Sequence, residues 1–390
     1  MEVLPARPTG REGDLRFLDE LVASMAKYKI AIIGSTGRGD YGHGLDSVWK
    51  DMPDCEVVAV ADPVPAGLEK ALPRTGAARG YADYKEMLEK ERPQIVAVCP
   101  RWIDRHRDIM LACAEYSCHM YVEKPFCRTL GEADEIMRAC EMRHLKVAIA
   151  HISRYSPQLM QVRQLTQAGE IGDILEIRAR GKEDHRGGTE DLWVLGTHIL
   201  DLMRAYAGDP VSCFATLSQG KAKATREQVV PGNEGLGPLL GDRVDAMYRF
   251  SSGITGYFAS QRGAGGNPNR FGLRIYGTKG VIDHTSGYGN PASLVNDPHW
   301  SGPKGSPQWR AITSNGIDQP ETLTAFDYTG GNPAAARDLI QAIEQDREPK
   351  CSMKDARGAI EMVLAVFESH RHGQEVALPL TNLEHPLAGW

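Results

Sequence analysis

The sequence predicts an α/β chain of two units, a parallel sheet flanked by helices followed by an α+β unit with a largely antiparallel sheet. Three observations lead there. Short continuous apolar runs alternate with helical segments as far as residue 150, the rhythm of strand–helix–strand crossovers. Beyond His151 the runs give way to alternating apolar and polar residues, as in Ile174–Arg180, which marks strands with one wet face. The length, 390 residues, suits two domains of about 100–200 residues each.

Residues 1–27 carry Pro5, Pro8 and Gly10 without a sustained amphipathic period, so they are expected to form a dispensable arm. The first domain is expected over 28–150. Its strands fall at 29–33, 56–61, 95–99, 119–122 and 146–150. Continuous apolar character fits strands buried on both faces. Helices are expected from the glycine-rich turn to Lys50, then at 66–71, 83–91, 104–117 and 130–143. The second domain is expected over 151–390. It opens with a helix at 155–168 and continues with strands at 174–180, 211–218, 243–250, 253–261, 270–276 and 280–283. Further helices are expected at 193–206, 332–347 and 354–372. Segments 219–241 and 284–329 are rich in Gly, Pro and Asn and read as long loops of the kind that serve as lids or interfaces.

Composition narrows the function. Lys and Arg number 45 against 51 Asp and Glu, without the basic excess of a nucleic-acid binder. No apolar run approaches the ~18–20 residues of a membrane span. Eight cysteines are scattered without a CxxC pair, which points to reduced thiols in a cytoplasmic protein and to no metal centre. A small-molecule partner is expected.

The first strand runs into Gly34-Ser35-Thr36-Gly37-Arg38-Gly39. Glycines there permit a tight turn and close approach of backbone to a pyrophosphate, the signature of a Rossmann dinucleotide site. Gly34 and Gly39 take the outer positions, Thr36 replaces the central glycine, and Gly37 restores access. A helix start after the turn would offer its N–H groups to phosphate. Asp62 ends the second strand, where a carboxylate accepts from the ribose hydroxyls and repels a 2′-phosphate. That favours NAD over NADP. Arg38 could reach a phosphate.

Tyr121-Val122-Glu123-Lys124-Pro125-Phe126 resembles a motif of the Gfo/Idh/MocA oxidoreductases. The other parts follow in that family's order: the glycine loop, Val60-Ala61-Asp62-Pro63, Cys99-Pro100 with His106 downstream, Arg154, Gly169-Glu170-Ile171-Gly172, and Gly196-Thr197-His198-Ile199-Leu200-Asp201. The resemblance spans residues 29 to 378. It implies a Rossmann domain plus an α/β domain with a large, open, mainly antiparallel sheet, with substrate between them. It implies Lys124 and His198 as catalytic residues, and Cys99, Pro100, His106, Glu123 and Lys124 beside the cofactor. It also implies a homodimer or homotetramer built through the large sheet. Many relatives carry Asp four residues before the histidine. Here that position is Val194, with Glu190 or Asp191 as candidate substitutes.

Oxidising an alcohol needs a proton acceptor as hydride leaves carbon, a role suited to histidine. A lysine on the same hydroxyl stabilises the developing alkoxide, or acts as base if its pKa is depressed. Segment 183–191 is dense in hydrogen-bonding groups, as a carbohydrate site requires. His185, Glu190 and Asp191 are substrate candidates there, Arg154 joins them, and Trp102, Tyr155, Trp193, Trp300 and Trp309 are candidate sugar-facing aromatics. Two activities fit: an NAD-dependent dehydrogenase for a secondary alcohol of a sugar, glycoside or cyclitol, or a glycosidase that retains NAD and cleaves through transient ring oxidation. A non-catalytic nucleotide-dependent sensor is a third reading.

Overall fold

The structure, a computed structural model, describes residues 28–266, 270–286, 291–298, 308–324 and 331–390. The N-terminal arm and Trp300 lie outside them. The first sheet is six parallel strands in the order β3-β2-β1-β4-β5-β6. These are β1 (Tyr28–Ile33), β2 (Cys55–Ala61), β3 (Arg79–Tyr81), β4 (Ile95–Val98), β5 (His119–Val122) and β6 (Val147–Ile149). Order reverses between β1 and β4, so a crevice opens beyond their carboxyl ends. Helices α1 (Pro65–Thr75), α2 (Tyr84–Glu91), α3 (His106–Glu115) and α4 (Leu130–Glu141) make the crossovers. Asp83 and Thr129 cap α2 and α4 through their side chains, satisfying N–H groups that the first turn leaves free. Strand β3 was not expected: three residues, Arg-Gly-Tyr, on a sheet edge carry no periodic signal.

One expected helix is absent. After β1 the chain to Lys50 runs as successive turns. Positive φ at Gly37, Gly39, Asp40, Gly42 and Gly44 breaks a right-handed helix repeatedly. Instead Leu45 and Trp49 pack with Ile30 and Ile32 of β1. The C-terminal helix α8 (Gly331–Glu344) joins the same core through Ala335, Ala336 and Leu339. Ile149 N–H also donates to Cys351 O at 2.9 Å. The chain thus returns late to cover the first sheet.

The second sheet holds β7 (Ile174–Arg180), β8 (Pro210–Gln219), β12 (Arg243–Phe250), β13 (Thr255–Gln261), β14 (Gly272–Gly277) and β15 (Val281–Thr285). Its order is β18-β17-β16-β15-β14-β7-β13-β12-β8-β19, with β9 beside β8. Only β7 and β13 run parallel among its described pairs. The expected loop 284–329 supplies β16 (Ala292–Val295), β17 (Arg310–Thr313) and β18 (Gly316–Ile317). Segment 219–241 supplies β9 (Ala222–Lys223) and a hairpin of β10 (Val230–Pro231) with β11 (Pro238–Leu239). Helices α5 (Pro157–Gln167), α6 (Thr189–Val194), α7 (Gly196–Ala207) and α9 (Met353–His372) accompany this sheet, and β19 (Val376–Ala377) ends the sheet path. The helix expected over 193–206 is two pieces, parted at Leu195 with φ −117° and ψ −33°.

Two buried histidines are expected to make this fold acid-sensitive. His284 has no hydrogen-bond partner on either ring nitrogen among the described residues, and His385 packs between Trp193 and Phe367. Burial pushes both pKa values down to about 4. Below the unfolded value of about 6.5 the unfolded chain takes up protons that the fold refuses. Their contribution is full above that pH and is lost progressively as pH falls toward 4. Melting temperature measured between pH 7.5 and 5 should fall; a flat profile would refute this.

Candidate functional site

The crevice at the carboxyl ends of β1, β2 and β4 is a cavity of about 180 Å³, lined by Ile33, Gly34, Ala61, Tyr84, Pro100 and Ile109 among others. Its apolar walls and position suit the adenosine half of a dinucleotide. Gly39 adopts φ +84°, and a side chain there would stand 2.3 Å from Arg101 N. Only glycine lets this loop close on the chain after β4. His106 bridges that chain to the next loop, with Nε2 2.7 Å from Pro100 O and Nδ1 3.1 Å from Phe126 O. It is a strut rather than a ligand contact. Cys99 is fully buried and burial raises its thiol pKa.

The loop's polar groups are used differently from expectation. Asp62 is 0% exposed. Its carboxylate accepts from Thr36 Oγ1 at 2.6 Å, from Thr36 N and from Val64 N at 2.9 Å. Thr36 thus pins the glycine loop to the end of β2 rather than facing phosphate. Arg38 pairs with Asp104 and lies 4.8 Å from the Trp102 ring centre. Trp102 therefore lines the nucleotide crevice, not a sugar site. Asp62→Ala is expected to weaken NAD and NADP binding together by loosening the loop. Calorimetry with both cofactors checks it; a selective gain for NADP would restore the ribose role.

Glu123 and Lys124 follow β5 at the same end of the sheet. Lys124 is 5% exposed and donates from Nζ to Val194 O at 2.9 Å. The break between α6 and α7 makes this acceptor available. His198 N–H turns to Leu195 O at 3.1 Å, so the carbonyl of Val194 points to lysine instead. A neutral main-chain oxygen stands where a carboxylate was expected. Burial lowers the Lys124 pKa, with Arg186 and Arg101 adding to it against Glu123 and Glu234. His198 lies in the first turn of α7. Its pKa falls well below 6.5 through burial and then the Lys124 charge, which favours the neutral imidazole.

Two histidines that sequence reading passed over surround this pair. The His151 and His198 rings approach edge-on at 5.6 Å. His43 Nδ1 sits 2.7 Å from Glu123 Oε1. Glu123 Oε2, both nitrogens of His151 and Nδ1 of His198 are buried without hydrogen-bond partners among the described residues, although His151 Nδ1 lies 3.7 Å from Asp201 Oδ1. Such a cluster of unsatisfied polar atoms is what a polar ligand completes. His43 lies in the turns after the glycine loop and His151 at the junction after β6; neither position has a motif to expose it.

Several other candidates lie elsewhere. Asp191 is buried, accepting from Glu183 N at 3.0 Å and Ser260 Oγ at 2.5 Å. It anchors α6 to the second sheet and does not replace the missing acid, and burial raises its pKa. Glu190 accepts from Asn233 Nδ2 at 3.1 Å. His185 is solvent-exposed. Trp193 is fully buried against His385, and Tyr155 is buried with its hydroxyl donating to Asp338 at 2.8 Å. Both are core residues. Arg154 makes a two-pronged pair with Asp201 at 2.7 Å on each side. Trp309 is exposed beside Arg274.

Known proteins agree with this architecture. Residues 28–151 match the model described as oxidoreductase family, NAD-binding Rossmann fold, and residues 163–378 match the C-terminal alpha/beta domain of that family. The chain belongs to the Gfo/Idh/MocA oxidoreductase family, and its N-terminal domain is an NAD-binding Rossmann domain. It is 22% identical to a D-apiose dehydrogenase of Paraburkholderia graminis over 93% of each chain. It is 23% identical to glycosyl hydrolase family 109 protein 1 of Bacteroides thetaiotaomicron, over 56% of this chain and 46% of that one. Levoglucosan dehydrogenase, solved with NADH and levoglucosan, superposes with a TM-score of 0.73 at 21% identity, covering 91% of this chain and 100% of that one. No described helix is long and apolar enough to cross a membrane.

Proposed function

We propose that this protein is an NAD-dependent dehydrogenase that acts on a secondary alcohol of a sugar, glycoside or cyclitol, with Lys124 and His198 at the reacting hydroxyl. The observation that carries the reading is the pairing of a buried lysine and a neutral histidine from the two halves of the chain, amid unsatisfied polar atoms. Bound NAD supplies the hydride acceptor. Lys124 keeps two N–H donors beyond its bond to Val194 O and directs them to the alcohol oxygen. The imidazole of His198 takes the hydroxyl proton as the C–H hydride departs, so charge balances at each step. Glu123 Oε2 and His151 offer acceptors and donors to the remaining hydroxyls.

The likeness to a family 109 glycosyl hydrolase supports a second reading. A ring alcohol is oxidised, the acidified neighbouring C–H loses a proton, the aglycone leaves, water adds, and the hydride returns. The same residues serve both. The test is a panel of free sugars, cyclitols and chromogenic glycosides read together for NADH and released aglycone. Net NADH supports the dehydrogenase. Aglycone without net NADH supports the hydrolase, and silence on both across the panel sinks the reading.

A further inference from the structure

Glu123 is 1% exposed, and its two carboxylate oxygens are treated differently. Oε1 lies 2.7 Å from Nδ1 of His43, while Oε2 is buried without a hydrogen-bond partner among the described residues. A carboxylate only accepts, so the His43 ring that binds it carries its hydrogen on Nδ1. The loop bearing His43 is shaped to reach this group. Gly42 holds φ +65°, and a side chain there would stand 2.5 Å from Cys99 O and 2.9 Å from Glu123 Oε2. Glycine thus lets the loop close on the chain after β4 and on Glu123 together. The main chain of His43 is held from the far end of the sequence. Asn332, at the start of α8, donates from Nδ2 to His43 O at 2.8 Å and accepts on Oδ1 from the Tyr121 hydroxyl at 2.6 Å. Tyr121 is a fully buried residue of β5, the strand that leads into Glu123. A half-exposed imidazole is thereby braced against a buried carboxylate.

We propose that His43 is a positioning residue for the cofactor, holding the Glu123 carboxylate so that Oε2 accepts from a hydroxyl of the nicotinamide-side ribose of NAD. The inference goes beyond the dehydrogenase reading, because it concerns the cofactor and holds for either reaction. Glu123 stands between two parts of the site. On one side is the glycine loop, whose backbone approaches the pyrophosphate. On the other, next in sequence, is Lys124. The stretch of dinucleotide that joins pyrophosphate to the nicotinamide ring is the second ribose. A carboxylate repels phosphate and accepts from hydroxyls, so the ribose is the partner its chemistry selects. Asp62, the other carboxylate at the strand ends, already accepts on both oxygens from Thr36 and Val64. An oxygen buried without a donor marks the place where a ligand supplies one. The last torsion of a glutamate is broad. The bond to His43 removes that freedom before the ligand arrives, so less ordering is left for the binding step.

The test is calorimetry on the full chain with NAD, with ADP-ribose, which keeps the second ribose without nicotinamide, and with ADP, which lacks both. His43→Phe keeps a ring and removes the donor. It should weaken NAD and ADP-ribose by about tenfold or more, the loss expected for a hydrogen bond to a charged group, and leave ADP unchanged. His43→Asn sets an amide N–H near the place of Nδ1 and should recover most of the loss. His43→Gln, whose amide reaches toward the place of Nε2, should not. In a Glu123→Ala background His43→Phe should cost nothing further, the non-additivity of a coupled pair. Equal weakening of all three ligands would make His43 a brace for the loop alone and overturn the proposal. An effect on NAD alone would assign Oε2 to the nicotinamide carboxamide and overturn it too, as would unchanged affinities throughout. Should His43→Phe fail to fold, equal ADP-ribose affinities in His43→Asn and His43→Gln would have the same force. None of these readouts needs a substrate, so a failure of the dehydrogenase reading is told apart from a failure of this one.

Discussion

Lys124→Met and His198→Asn are each expected to slow hydride transfer by about 10²-fold or more, the range for loss of a general acid–base group. Methionine keeps the length of the lysine chain and removes its charge and donors. Asparagine keeps a polar group and removes the titratable ring. NAD affinity should change far less, because the adenosine crevice is lined by Ile33, Ala61, Tyr84 and Pro100, remote in sequence from both. The measurement is single-turnover reduction of bound NAD, since a redox-neutral glycosidase would accumulate no NADH in the steady state. The pH profile carries a second expectation. Burial and the Lys124 charge hold the His198 pKa well below 6.5, so the neutral base persists as pH drops through 6.5. The acid limb should therefore appear well below that value in wild type and vanish in His198→Asn. Wild-type single-turnover rates in both variants would remove Lys124 and His198 from the chemistry.

What the sequence revealed, and what it hid, follows from the range of the forces involved. Strands β1, β2, β4 and β5 were legible because a strand buried on both faces must be apolar throughout. β7 and β12 were legible because one wet face forces alternation. Lys124 and His198 were legible through ordered motifs. The missing helix before Lys50 depended on the φ values of five turn positions between 37 and 44, and glycine content indicates only that such values are allowed. Asp62 was correctly placed at the end of β2, yet its partner Thr36 lies 26 residues away, and no local pattern shows that the loop consumes the carboxylate. Tyr155 and Trp193 illustrate the same limit. An aromatic near a motif fits a sugar or a core equally well, and only the packing of Asp338 and His385 decides. The acceptor for Lys124 was out of reach because it is a main-chain oxygen released by a helix break.

Arg154 offers the sharpest separation between a substrate role and a structural one. Its guanidinium grips Asp201 through both oxygens, contacts Asp355 at 3.2 Å and donates to Lys350 O at 3.2 Å. The Arg154 side chain is 13% exposed and that of Asp201 1%. Arg154 follows β6, whereas Asp201 lies on α7, so the pair fastens the helix bearing His198 to the chain leaving the first sheet. Removing one partner leaves a buried charge uncompensated, at a cost of about 3–5 kcal/mol. Arg154→Met should therefore lower the first unfolding transition by about 10 °C. The double variant Arg154→Met/Asp201→Leu should recover much of that loss, because an apolar pair of similar volume avoids the desolvation of both ions. Well below the transition, KM for the substrate should stay near wild type in Arg154→Met. A large rise in KM with an unchanged melting temperature would instead return Arg154 to the substrate, and would mean that its grip on Asp201 opens when ligand binds.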